Sequence, residues 1–116
     1  MKEYSNYFQW LDDGGWIRVS ARAIIFDQDH NRILVERNHI PGVTHTNFIG
    51  GGVEVGETLQ QCLERELVEE TDARIAGMRY LFVLENFYPH KGETRHALEH
   101  YFEVRLEDEE ITPRTL

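Results

Sequence analysis

The sequence lacks several features that would assign it to a particular class of protein. It has a single cysteine, Cys62, so no internal disulfide and no thiolate zinc site can form. No apolar run approaches the roughly 18 residues of a membrane span, and the first ten residues lack the basic-then-apolar order of a secretory signal. These absences predict a cytoplasmic protein in which Cys62 is a small buried apolar residue.

Positive charge is also scarce. Twelve Lys and Arg residues stand against 21 Asp and Glu residues, which gives a net charge of −9 at pH 7. An extended phosphate backbone or an anionic membrane surface would be repelled unless a local basic patch or a metal ion intervened. We therefore expect no nucleic acid polymer and no membrane among the partners, whereas divalent cations suit this charge.

Repeats, low-complexity stretches and Pro- or Ser-rich linkers are absent too. The 116 residues, of which 41% are hydrophobic, are enough for one core. We therefore expect a single domain over residues 1–116.

The apolar pattern predicts two strands, one helix and two further strands. Residues 15–26 and 32–36 flank a cluster of turn formers and are interpreted as a hairpin. Residues 38–46 are interpreted as a loop that leads into a short extended piece at 47–49. A helix is predicted over about 58–71.

Two strands are predicted after the helix. Residues 78–88 are apolar on both alternating faces, which predicts a central strand covered on both sides. Residues 89–94 are interpreted as a hairpin loop, followed by a strand over about 95–106. Four side chains of this last strand are predicted to point inward: Leu98, Phe102, Val104 and Leu106.

The predicted helix has carboxylates on its apolar side. On a helical wheel, Glu66 and Glu70 fall within the arc of Cys62 and the leucines, and Glu69 falls on its rim. Carboxylates that face a core cost several kcal/mol each unless they are paired or bind metal. Without histidine or thiolate, such a cluster favours Mg²⁺ or Mn²⁺ over zinc. The alternative is an acidic surface helix in which Arg65 and nearby bases are the partners.

Residues 51–73 resemble the Nudix box, Gly-x5-Glu-x7-Arg-Glu-U-x-Glu-Glu-x-Gly-U, where U is a bulky aliphatic residue. Here the stretch reads GGVEVGETLQQCLERELVEETDA. The matching positions are Gly51, Glu57, Arg65, Glu66, Leu67, Glu69 and Glu70. Asp72 replaces the glycine and Ala73 replaces the last aliphatic residue. Asp is among the few residues tolerated in the left-handed conformation that ends a helix.

The resemblance implies an α/β (α+β) fold, with a Nudix-type mixed β-sheet and the loop-helix-loop of the box packed on one face. Nudix domains usually add a second helix on the other face, and this helix is apparently missing here. We expect either that a partner subunit covers that face, as in a homodimer, or that the sequence is truncated.

The resemblance also implies an enzyme. Nudix hydrolases use Mg²⁺ or Mn²⁺ to cleave a pyrophosphate bond in a nucleoside diphosphate linked to a moiety X, as in a nucleoside triphosphate, a nucleotide sugar or ADP-ribose. By analogy, Glu66, Glu69 and Glu70 would be catalytic and would hold the metal, and Arg65 would orient them. Glu57 would join the metal directly or through water, and backbone groups of Gly51 would lie close to it.

Other roles are less constrained by the residues. Arg22, Arg37 and the backbone of Gly52 are candidates for substrate binding, because guanidinium groups match phosphates. The general base is left open among Glu85, Glu93, Glu99 and a box glutamate. Two other kinds of protein remain as alternatives: a Nudix-like module that binds nucleotides without cleaving them, and an acidic interaction domain.

His96 and His100 lie on one face of the last predicted strand, near Glu99. These residue types also allow a histidine-containing metal site there. The box already accounts for a metal, so this second site is the weaker hypothesis.

Overall fold

The fold is a mixed sheet with one helix on it, seen in a computed structural model that describes residues 17–40, 43–90 and 92–108. The elements in this part of the chain are β1 (Arg18–Ile24), β2 (Val35–Ile40), β3 (Val43–Gly52), α1 (Leu59–Thr71), β4 (Ile75–His90) and β5 (Glu93–Leu106). The strand order is β2-β3-β1-β5-β4, in which β1 and β5 run parallel and the other pairs are antiparallel. The predicted mixed sheet with the box helix packed on it is confirmed.

The core lies between α1 and the centre of the sheet. Ala21 and Ala23 of β1 are fully buried, as are Cys62, Leu63 and Leu67 of α1. The last strand adds Phe102, Val104 and Leu106 to this cluster, whereas Leu98, which was also predicted to point inward, is only partly buried. Because α1 packs over β1 and β3, the box lies on the half of the sheet nearest to β2.

The ends of α1 are fixed by local hydrogen bonds. Thr58 is the N-cap, and its side chain accepts a hydrogen bond from the backbone N–H of Gln61 while the Gln61 side chain accepts one from Thr58. At the other end Asp72 takes the left-handed conformation with φ 60°. The helix predicted over 58–71 is therefore confirmed, and so is the reason given for Asp72.

Among the described residues, no helix has the length and apolar character of a membrane span.

The predicted hairpin between the first two strands is wrong in its pairing. The segments after β1 and before β2 are joined by an isolated bridge between Phe26 and Ile33, closed by a turn in which Arg32 donates a hydrogen bond to Asp27. β2 instead pairs with β3, and β3 pairs with β1. The turn residues correctly predicted that the chain reverses after β1. The apolar pattern, however, could not show that β3 would lie between β1 and β2.

The predicted loop at 38–46 is also wrong. β2 continues to Ile40 and β3 begins at Val43, with Asn38 paired to His45. Polar residues such as these suit a hairpin at the edge of a sheet, because the pairing there is made by backbone groups rather than by apolar side chains.

β4 is an edge strand, and the prediction of a central strand covered on both sides is wrong. Its only described neighbour is β5, and α1 lies over other strands. Large apolar side chains of β4 remain exposed by 43–59%: Tyr80, Phe82, Val83, Leu84 and Phe87. Apolar content on both faces therefore did not indicate burial in this strand.

Candidate active site

The first residue of the box, Gly51, lies at the end of β3, on the part of the sheet that α1 covers. Gly51 is paired with Ala21 of β1, so its α-carbon faces α1. A Cβ at Gly51 would lie 2.7 Å from the carboxyl carbon of Glu66. Glycine is therefore required here because the Glu66 carboxylate lies against the backbone of the strand.

Arg65 joins the loop, the strand and the helix. Its Nε and Nη2 donate to the two carboxylate oxygens of Glu57 at 2.8 and 2.9 Å, and its Nη1 donates to Glu66 at 2.9 Å. A further bond of 3.2 Å runs from Nη2 to the carbonyl oxygen of Gly52. The guanidinium holds the pKa of Glu57 at about 2, because it donates two hydrogen bonds to the carboxylate.

Glu69 lies at the edge of this network. Its Oε2 is 3.5 Å from Nη1 of Arg65, and its side chain is 58% exposed, whereas those of Glu57 and Glu66 are only 14% and 15% exposed. The rim position that the helical wheel gave to Glu69 agrees with this exposure. Glu69 is therefore the most accessible of these three box carboxylates.

Glu70 is in a different electrostatic state. The pKa of Glu70 is raised from 4.5 to about 8, first by burial and then by the neighbouring charges of Glu36 and Glu66. Its Oε2 is buried and has no hydrogen-bond partner in the described part of the chain. Sequence reasoning missed Glu36, because nothing in one sequence indicates that β2 brings this residue beside the helix.

The carboxylates fit a hard divalent cation that keeps part of its hydration shell. Within residues 17–40, 43–90 and 92–108, no group of three or more His, Cys, Asp and Glu side chains has the arrangement of a complete metal centre. Mg²⁺, however, is usually held by only one or two carboxylates together with water and substrate phosphates. The unpartnered oxygen of Glu70 beside Glu66 provides such a partial donor set.

The arginines predicted to bind phosphate do not join this cluster. Arg22 alternates with the core residues of β1, so it lies on the face of the sheet away from α1, where it donates to the carbonyl of Phe48 at 3.2 Å. Its Nε is 3.9 Å from Glu99, which shares that face. Arg37 is exposed on β2 and follows Glu36, so the two point to opposite faces.

The remaining candidate bases lie in the ribbon made by β4 and β5. Glu93 is at the tip of this ribbon, paired with His90. The carboxylate of Glu85 accepts a hydrogen bond of 2.8 Å from Nε2 of His96, whose ring stacks on Phe87. His100 lies 3.0 Å from the hydroxyl of Tyr80. The two histidines therefore have separate partners and form no common site.

Comparison with known proteins agrees with the fold and the box. The chain matches the family model of the NUDIX domain over residues 16–115. The NAD-capped RNA hydrolase NudC of Photobacterium profundum is 32% identical over 80 residues, which cover 67% of this chain and 29% of that protein. NudC of Vibrio vulnificus is 56% identical over 53 residues, which cover 46% of this chain and 20% of that protein. The chain thus spans less than a third of the length of these curated relatives.

Solved structures show the same architecture. A nudix hydrolase family member from Chromobacterium violaceum is 27% identical with a TM-score of 0.61, covering 86% of this chain and 57% of that one. A MutT protein from Bacillus halodurans is 19% identical with a TM-score of 0.65, covering 83% and 61% of the two chains, and shows the fold alone. Since the family model covers nearly the whole sequence, the chain belongs to the NUDIX domain family.

Proposed function

We propose that this chain hydrolyses a pyrophosphate bond in a nucleoside diphosphate linked to another moiety, with Mg²⁺ or Mn²⁺ as cofactor. The observation that carries the proposal is the pair Glu66 and Glu70 beside Gly51, with one buried Glu70 oxygen that lacks a hydrogen-bond partner among the described residues. A carboxylate kept half-buried without a cation or donor is unfavourable in a purely structural helix. Membership of the NUDIX family and the hydrolase names of the relatives support the same class.

Some residues of the site would hold the ion, and others would position the residues that hold it. Glu66 and Glu70 would hold it, and the exposed Glu69 would complete its coordination directly or through water. When bound, the cation would neutralise the diphosphate and lower the pKa of a coordinated water. Glu57 was expected beside the metal, but both of its oxygens are bound to Arg65. We therefore assign Glu57 to holding Arg65, which in turn positions Glu66.

The experiment is a chromatographic hydrolysis screen at neutral pH, with and without Mg²⁺ or Mn²⁺. The substrates are nucleoside triphosphates, nucleotide sugars, dinucleoside polyphosphates and ADP-ribose. The wild-type chain is expected to give product only with the divalent ion. Glu70→Gln should lower the rate by about a hundredfold or more, because a ligand of the cation that stabilises the charge developing on the phosphates is lost.

Glu64→Gln is the matched control. Glu64 lies on the same helix, is exposed, and accepts a hydrogen bond from Gln60 outside the cluster. This variant should keep the wild-type rate. If the folded wild type binds nucleotides but forms no product on any substrate with either ion, the proposal is overturned in favour of a nucleotide-binding module without activity.

A further inference from the structure

Glu36 is a carboxylate outside the box that lies beside the proposed metal ligands. It is on β2, opposite Asn47 of β3. Ile49, two residues further along β3, lies in the core with α1, so Glu36 and Asn47 are on the face of the sheet that α1 covers. Glu36 is partly buried, whereas its neighbours Val35 and Arg37 are exposed. The strand pairing therefore brings one more carboxylate to the helix of the box.

The side chain of Glu36 reaches Glu70. In its protonated form, the carboxyl group of Glu70 can donate a hydrogen bond to Glu36 or to Glu66. Glu70 thus lies between a carboxyl group from the sheet and one from the preceding turn of α1. Each of these contacts joins two groups that repel each other when both are ionised, unless a cation lies between them.

No basic side chain neutralises the Glu36 end of this row. Arg65 is hydrogen-bonded to Glu57 and Glu66, at the other end. In the part of the chain that the structure describes, no ion pair includes Glu36 or Glu70. One buried oxygen of Glu70 also lacks a hydrogen-bond partner there. The local charge and the unpartnered oxygen both favour a cation between β2 and α1.

We propose that Glu36 is a further ligand of the divalent cation, an inference that rests on the function proposed above. The ion would be held by the edge of the sheet through Glu36 as well as by α1 through Glu66 and Glu70. Carboxylate oxygens are ligands that Mg²⁺ and Mn²⁺ prefer. Glu36 is outside the box, and only the pairing of β2 with β3 brings it to the site.

The test is the binding of Mn²⁺ to the 116-residue chain without substrate, so that no hydrolysis is needed. Free Mn²⁺ is measured by electron paramagnetic resonance at neutral pH. Glu36→Gln should raise the Kd for Mn²⁺ by about tenfold or more, because a neutral amide replaces a charged oxygen ligand. Gln has nearly the same shape as Glu, so the fold should persist, which a circular dichroism spectrum checks.

Glu103→Gln is the matched control. It also removes one negative charge from a strand, but Glu103 is on β5 and pairs with Arg79 at 2.8 Å, outside the cluster. This variant should keep the wild-type Kd for Mn²⁺. A wild-type Kd in Glu36→Gln, or an equal rise in both variants, would overturn the proposal.

A measurement on the wild type tests the same contact without any substitution. Substoichiometric Mn²⁺ broadens the NMR signals of nearby backbone amides. The signal of Glu36 should broaden together with those of Glu66 and Glu70, while that of Glu103 stays sharp. A Glu36 signal that stays sharp while those of Glu66 and Glu70 broaden would overturn the proposal.

The outcomes separate this proposal from the hydrolase proposal. Mn²⁺ binding that depends on Glu36, without hydrolysis in the screen, would support the ligand and overturn the enzyme. Metal-dependent hydrolysis together with an unchanged Kd in Glu36→Gln would overturn the ligand and keep the enzyme. A wild-type chain that shows no saturable Mn²⁺ binding would also overturn the ligand.

Discussion

Arg65 is the residue on which the local order of the box most depends. Its guanidinium binds Glu57 on the loop, Glu66 on the helix and the carbonyl of Gly52 on the strand. The planar fork of arginine matches a carboxylate with two parallel bonds, which an ammonium group cannot do. The three segments of the site are thus held together by one side chain.

Arg65→Lys should therefore destabilise the protein although it keeps the charge. We expect the free energy of unfolding, measured by urea titration, to fall by about 1 kcal/mol, since the bidentate bonds to Glu57 are lost. Arg79→Lys is the control, because Arg79 pairs with Glu103 at 2.8 Å with a 71%-exposed side chain and such surface pairs contribute little. Equal effects of the two substitutions would contradict the role given to Arg65.

The raised pKa of Glu70 predicts how the stability of the metal-free protein depends on pH. The folded state raises its pKa from 4.5 to about 8, so between these values the folded protein binds more protons at Glu70 than the unfolded chain does. The contribution of Glu70 to stability is therefore favourable below about pH 4.5 and is lost as the pH rises towards 8. In EDTA, the fall in Tm between pH 5 and 8 should be smaller in Glu70→Gln than in the wild type. A profile in the variant that is parallel to the wild type would refute this.

The sequence predicted only those parts of the site whose positions follow from the spacing of residues along the helix. Glu66 and Glu70 were identified because helical geometry places residues four apart on one face, and Cys62 was correctly expected to be buried. Glu36 was missed because its contact with Glu70 depends on the position of β2 in the sheet. Arg22 was identified as a candidate for phosphate binding, but the alternation of β1 alone did not say which face α1 would cover.

The start of α1 is fixed by a capping box between Thr58 and Gln61. Thr58 and Gln61 exchange hydrogen bonds that satisfy backbone N–H groups left free at the start of a helix. These hydrogen bonds join residues within four positions of each other, so the start of the helix depends on local sequence. The same helix carries the box glutamates, so its start sets their position.

Thr58→Ala should lower the free energy of unfolding by about 1 kcal/mol, the usual effect of losing a threonine N-cap. Thr94→Ala, at an exposed position of β5, is the control and should change it by less than about 0.5 kcal/mol. The measurement is thermal or urea unfolding followed by circular dichroism. If both variants unfold alike, the cap does not limit the stability of the domain.

The strands were predicted less well than the helix, because their burial depends on distant parts of the chain. β4 was expected at the centre of the sheet, but β1 inserts between β3 and β5 and leaves β4 at the edge. Among the described residues no strand pairs with the other side of β4, so backbone groups lie open there next to apolar residues such as Phe82 and Leu84. Such edges favour association with other chains.

Leu84→Lys should reduce this association. A lysine on an edge strand disfavours pairing with another strand, and Leu84 is already 48% exposed, so little stability should be lost. Light scattering at increasing protein concentration is expected to rise later in the variant than in the wild type. Identical scattering curves at equal Tm would show that β4 does not mediate association.

Across the full chain, the acidic character and the proposed cofactor are linked. A net charge of −9 disfavours compaction, and the charge of Glu66 is among the causes that raise the pKa of Glu70. Millimolar Mg²⁺ or Mn²⁺ should raise the Tm of the wild type, because a ligand bound only by the folded state stabilises it. The increase should be smaller in Glu70→Gln. An equal increase in both proteins would mean that the ions act only by general screening.

The parallel pairing of β1 with β5 also has a consequence for biosynthesis. Val19 and Leu98 are partners although they lie about 80 residues apart, so this contact requires the closure of a long loop. Contacts of this kind form slowly and late. During translation, β3 and α1 emerge before β5, and β1 waits with one edge unpaired. A ribosome that stalls before Ala97 would therefore hold the box helix on a sheet that lacks β5.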